Sequence, residues 1–259
     1  MEYNRTRLAA LFSDHAVFQQ GAPVPLWGWD AAGTEVTVTC AGSTARCVAG
    51  PDGRFLLRLP AMEPGGPCEL TVRGTSTVTV RDIMSGEVWL CSGQSNMEWV
   101  AADARWEAEF PANADLPAVR CFTVRNPADC PQNDARGAWE VCTPSSVGGF
   151  TAVGFAFARR IHAELGVPVG IVSSAWGGTR IESWMSRDAL VGSSSGRRLV
   201  ETFEADAYAA ERTRAAVLTP QQEYEKLDPS NDGEVRGWHK PGFDDSGWRT
   251  MELPSTWQD

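Results

Sequence analysis

Glu87-Val88-Trp89-Leu90-Cys91-Ser92-Gly93-Gln94-Ser95-Asn96-Met97-Glu98-Trp99 is the stretch that decides how this chain is read. Glu87 to Cys91 is apolar and β-rich, Gly93 permits a tight turn, and Met97, Val100, Ala101 and Ala104 recur at helical spacing. A strand that ends in Gly-Gln-Ser-Asn and passes into a helix presents a serine hydroxyl at its tip. Ser95 then sits at a helix N-terminus, where its own N–H and the positive end of the helix dipole face the oxyanion formed when Oγ attacks an acyl carbon. The arrangement suits acyl transfer. Serine is equally favoured as a plain helix cap, and these residues alone leave both readings open.

Upstream, from about Leu8 to Asp82, short β-rich runs alternate with turn residues: Val24–Trp29, Thr34–Cys40, Ala45–Ala49, Phe55–Leu59, Cys68–Arg73 and Thr77–Arg81. Gly50-Pro51-Asp52-Gly53 and Pro64-Gly65-Gly66-Pro67 punctuate them, the pattern of a small antiparallel β-sandwich. Downstream, strand and helix alternate: a helix after Met97, a strand over Val119–Val124, a helix over Ala152–Leu165, a strand over Val169–Ala175 and a helix from Arg180. That order predicts a three-layer α/β domain with a mostly parallel sheet, and ligands bind such sheets beyond the carboxyl ends of their strands, where Ser95 and Trp176 both fall. Thr179-x-x-Glu182 reads as a capping box, with Gly177-Gly178 as the tight turn before it.

With 259 residues, 42% of them hydrophobic, the chain is long enough to bury roughly 70–75% of its unfolded surface. Its net charge of −10 and the absence of any Lys/Arg-rich run argue against a nucleic-acid or anionic-membrane partner and for a small molecule. No apolar stretch reaches the ~18 residues of a membrane span, and Met1 to Arg7 does not lead into a signal-peptide core. The expected location is the cytoplasm, or secreted or periplasmic if a signal peptide has been removed. Seven cysteines without a C-x-x-C pair read as mostly free thiols; Cys40 with Cys47 and Cys130 with Cys142 are weak disulfide candidates, and Cys91 reads as core.

The segment around Ser95 resembles the first block of the SGNH/GDSL hydrolases, in the sialate O-acetylesterase-like branch. Four further segments are similar to that family, in its order: Leu11 to Gln20, Val24 to Trp29, Phe150 to Arg159 and Pro168 to Trp184. The resemblance implies a carbohydrate esterase with Ser95 as nucleophile, no metal or organic cofactor, and an O-acetylated carbohydrate as partner. It implies an oxyanion-hole N–H at Gly154, whose alternative is a glycine kept for helix packing. It places Gln94, Asn96, Trp176, Gly177 and Gly178 against the substrate. The domains expected are a β-sandwich over 1–82, the N-terminal part of an SGNH hydrolase domain over 83–227, and the start of an inserted galactose-binding-like jelly roll over 228–259.

A serine esterase needs a base within hydrogen-bond reach of Oγ and usually a carboxylate to orient it. The three histidines, His15, His162 and His239, read as surface or structural residues. In the resembled family the Asp, the His and a Trp-Tyr-Gln-Gly-Glu block follow the inserted jelly roll, so the expectation is a half-site whose remainder lies past Asp259 as a partner segment of the same protein. The alternative is a carbohydrate-binding protein on a remnant hydrolase fold.

Overall fold

The computed structural model describes residues 4–106, 114–125, 134–204, 235–238 and 240–248. The chain divides into two compact units, Met1–Thr179 and Arg180–Asp259.

Among its described residues the first unit contains eleven strands. Strands β1 (Arg7–Leu8), β3 (Val24–Trp29) and β6 (Arg54–Leu59) form a three-stranded antiparallel sheet. The larger, mixed sheet runs β10 (Trp139–Cys142), β9 (Leu116–Thr123), β11 (Val169–Ala175), β8 (Thr77–Gly93), β7 (Gly65–Arg73), β4 (Glu35–Cys40), β5 (Ser43–Val48), with β2 (Val17–Gln19) also on β8. Alternation builds the smaller strands: Phe55, Leu57 and Leu59 of β6 and Val36, Val38 and Cys40 of β4 point inward while their neighbours face water. Strands β9 and β11 instead carry unbroken buried runs, Val119 to Phe122 and Val169 to Ile171, as expected of parallel strands covered on both faces.

Strand β8 joins the two styles. Its first part pairs antiparallel with β7, Met84 to Gly86 pair parallel with β2, and Glu87 to Gly93 pair parallel with β11. The expected boundary between residues 82 and 83 therefore falls inside one continuous strand. Two hydrophobic cores flank it, one built on Trp29, Val36, Leu70 and Ile83, the other on Phe150, Phe155, Val119 and Ile171.

The helix α2 (Ala152–Leu165) has the expected bounds; Thr151 caps it and Gly166, at φ 67°, ends it. The helix expected after Met97 is shorter: α1 (Ser95–Glu98) is a single turn, followed by a 3-10 turn at Ala101–Asp103. Between them the backbone pairs outward, with Ala152 N donating to Trp99 O, Ala101 N to Phe150 O, and a bridge between Val100 and Thr151. Those bonds compete with the i→i−4 ladder and win. Thr179 Oγ1 donates to Trp176 O at 2.7 Å, and the 3-10 turn at Ile181–Trp184 starts from Arg180 without a side-chain cap.

Cys40 and Cys47 are not cross-strand partners, since Cys40 faces Ser43 and Cys47 faces Val36; Cys40 Sγ lies 3.7 Å from Cys68 Sγ. Cys130 lies outside the described residues.

In the second unit α3 (Arg187–Val191) and α4 (Ser194–Glu204) are joined by an Arg187–Glu204 ion pair at 2.9 Å. Residues 205–234 lie outside the described residues, as do the ends of the expected jelly-roll segment. Within the latter, Trp248 packs edge-on against Trp238 with centroids 5.3 Å apart. Among the described residues no helix is long and apolar enough to cross a membrane.

Candidate active site

Strand β8 ends at Gly93, whose φ of +152° favours glycine, and the chain turns at once into α1. Met97 N and Glu98 N both donate to Gln94 O at 2.9 Å, so Gln94 is the cap and Ser95 the first helical residue. Amides of the first turn have no intrahelical acceptor, which leaves those of Ser95 and Asn96 as donors. Ser95 itself is exposed.

The loop after β11 is drawn over this turn by three contacts. Trp176 N donates to Gly93 O at 3.0 Å, Gly177 N donates to Glu98 Oε2 at 2.6 Å, and Gln94 Nε2 donates to Thr179 O. Gly177 lies so close that a Cβ there would sit 3.0 Å from Ser95 Oγ. Gly178 follows with φ +75°, and Trp176 remains 43% exposed at the rim. Ser95, Gln94, Asn96, Trp176, Gly177 and Gly178 thus converge at the carboxyl ends of β8 and β11. Glu98 joins them. Its Ser-x-x-Glu spacing is the signal sequence reasoning left unused, because that pattern ordinarily folds back on its own helix.

Gly154 does not join them. Its N–H donates to Thr151 Oγ1 at 3.4 Å within the cap of α2, and a Cβ on it would meet Thr151 Cγ2 at 2.5 Å, Cys91 Sγ at 3.0 Å and Ile171 Cγ2 at 3.2 Å. Gly154 lies instead where α2 packs closely on the sheet. Cys91 is buried in that contact, and desolvation pushes its thiol above the ordinary range, so it is no rival nucleophile.

No described histidine reaches Ser95. His15 Nδ1 donates to Asp82 Oδ2 at 2.6 Å, and Arg120 Nη2 donates to Asp82 Oδ1 at 2.9 Å. This His–Asp pair was not visible in sequence, and it lies about 35 Å back along β8 from Gly93. His162 Nδ1 bonds Val167 O at 2.7 Å near the far end of α2, about 15 Å from the helix start that abuts Trp99. His239 lies outside the described residues. Among the described residues no group of three His, Cys, Asp or Glu is placed to hold a metal ion.

The family model for carbohydrate esterases of the sialic acid-specific acetylesterase type matches residues 85–231, which include β8 from its midpoint, Ser95 and the 176–179 loop. The chain belongs to this acetylesterase family. Among curated proteins, sialate O-acetylesterase of Rattus norvegicus is 36% identical over 206 residues, 71% of this chain, and that of Homo sapiens 31% over 209 residues. A crystal structure of a carbohydrate acetylesterase from Xanthomonas citri is 39% identical with a TM-score of 0.67, covering 74% of this chain. The chain spans 38% of the rat protein and 45% of the Xanthomonas one.

Proposed function

We propose that the chain supplies the nucleophile side of a serine esterase that removes O-acetyl groups from a carbohydrate, either sialic acid or an acetylated plant-type glycan. The observation that carries this reading is the position of Ser95: an exposed hydroxyl at the carboxyl end of β8, directly beneath Gly177. In the proposed reaction a base takes the Oγ proton as Oγ attacks the acetyl carbon. The Ser95 and Asn96 amides stabilise the oxyanion, with Gln94 and Asn96 flanking the substrate. The sugar alcohol leaves with a proton, and water then hydrolyses the acetyl-serine.

The amide of Gly177 is already held by Glu98, so it is not counted among the oxyanion donors. Trp176 offers an apolar wall for the acetyl group or a sugar face. Because the described histidines are engaged elsewhere, the proposed base comes from outside the described residues. The reading requires that base, since a serine without one remains protonated at neutral pH and an oxyanion hole alone gives only about 10³–10⁴ over water.

The experiment is acetate release from O-acetylated sugars by the native protein and by Ser95→Ala. Loss of about 10⁴-fold or more in kcat with unchanged circular dichroism supports the reading. Near-normal turnover by the alanine variant overturns it.

A further inference from the structure

Glu98 is an exposed carboxylate one helical turn after Ser95, and its hydrogen bond does not go to its own helix or to a cation. Oε2 accepts the Gly177 N–H at 2.6 Å, across a sequence separation of 79 residues. Of the three contacts that fasten the 176–179 loop to the Ser95 turn, it alone is charge-assisted, and such bonds are shorter and roughly twice as strong as neutral ones. It also grips the residue facing the nucleophile, because a Cβ on Gly177 would lie 2.9 Å from Glu98 Oε2 and 3.0 Å from Ser95 Oγ. The neighbouring bonds fix the loop ends, Trp176 N to Gly93 O and Gln94 Nε2 to Thr179 O, but neither touches residue 177.

We propose that Glu98 is a positioning residue of the esterase: by holding the Gly177 N–H it sets the loop's height over Ser95 Oγ and so the space into which an acetyl ester fits. The role rests on the reading of Ser95 as nucleophile. It acts through acceptance of one hydrogen bond rather than through charge at the reacting atoms, so a neutral acceptor of the same length replaces it. Glu98→Gln keeps a side-chain carbonyl oxygen at the same reach; Glu98→Ala removes the acceptor and frees the loop.

The test pairs two readouts on the native protein. The first is hydrogen exchange at the Gly177 amide by NMR, which does not depend on catalysis. The second is kcat and KM for p-nitrophenyl acetate. In Glu98→Ala the Gly177 amide should exchange about tenfold faster or more, and kcat should fall about 10²-fold with little change in KM, the scale of a 1 Å misplacement. Glu98→Gln should restore slow exchange and most of kcat. Unchanged Gly177 exchange in Glu98→Ala overturns the clamp, and faster exchange with undiminished kcat overturns its catalytic consequence. A Glu98→Gln protein that keeps slow exchange yet loses activity shows that Glu98 works by charge and overturns the positioning role. If Ser95→Ala still turns over, the nucleophile reading fails, while the exchange data continue to decide whether Glu98 holds Gly177.

Discussion

Gly177 and Ser95 approach so closely that a Cβ on residue 177 would lie 3.0 Å from Ser95 Oγ and 3.6 Å from Ser95 Cα. The loop therefore passes over the hydroxyl with no room to spare for a side chain at residue 177. Gly177→Ala should push the Ser95 hydroxyl and the Glu98 carboxylate aside, both of them movable side-chain ends, rather than unfold the protein. The expected result is a fall in kcat of about 10²-fold with little change in melting temperature. Steady-state kinetics beside a thermal melt checks it.

The opposite pattern is expected at Gly154. An alanine there overpacks the contact of α2 with β8 and β11, where Thr151, Cys91 and Ile171 all lie within 3.2 Å of the new atom. Overpacking typically costs about 1–3 kcal/mol, partly offset by the better helix propensity of alanine. Urea denaturation should show the loss, while kcat per folded molecule stays near that of the native protein. A large kcat defect without a stability loss would restore Gly154 to the oxyanion hole.

Asp82 anchors a third prediction. Burial pushes its carboxyl up, but hydrogen bonds from His15 and Arg120 outweigh that and hold it below the ordinary carboxylate range. A depressed folded pKa contributes stability that is present above the unfolded value, about 3.9, and is lost as pH falls through the folded value. Asp82→Asn keeps a residue type that tolerates the φ of +56° found there. It removes a charged partner from Arg120, whose side chain is only 2% exposed. The variant should be less stable at pH 7 by about 1–3 kcal/mol, and this difference should shrink as the pH drops below about 4. Denaturation midpoints across pH 3 to 7 measure both.

The sequence read α2 and β11 to their end residues because each has an uninterrupted pattern: a helical period closed by Gly166 in one, a run of apolar and small residues in the other. Strand β8 was legible only as two pieces, Thr77–Arg81 and Glu87–Cys91. Asp82, Ser85 and Gly86 break its apolar pattern, and what carries the strand through them is pairing with β2 and β7 together with the Asp82–Arg120 bond. The convergence of Ser95 with the 176–179 loop was legible because both follow adjacent parallel strands. The Glu98–Gly177 bond and the diversion of Gly154 into packing were not, because each depends on how two distant segments approach in space. The single turn at Ser95 escaped for the same reason, since the Trp99 carbonyl accepts from Ala152 N and Ala101 N donates to Phe150 O rather than along a helix.

Whether Ser95 becomes acetylated tests the central claim most directly. The native protein is mixed with p-nitrophenyl acetate, quenched in acid within one turnover, digested and analysed by mass spectrometry. One acetyl group on the peptide that contains Ser95, absent from the Ser95→Ala protein and lost on further incubation in water, is the expected result. Acetate release with no acetylated Ser95 peptide at any quench time, or equal release by Ser95→Ala, would contradict it.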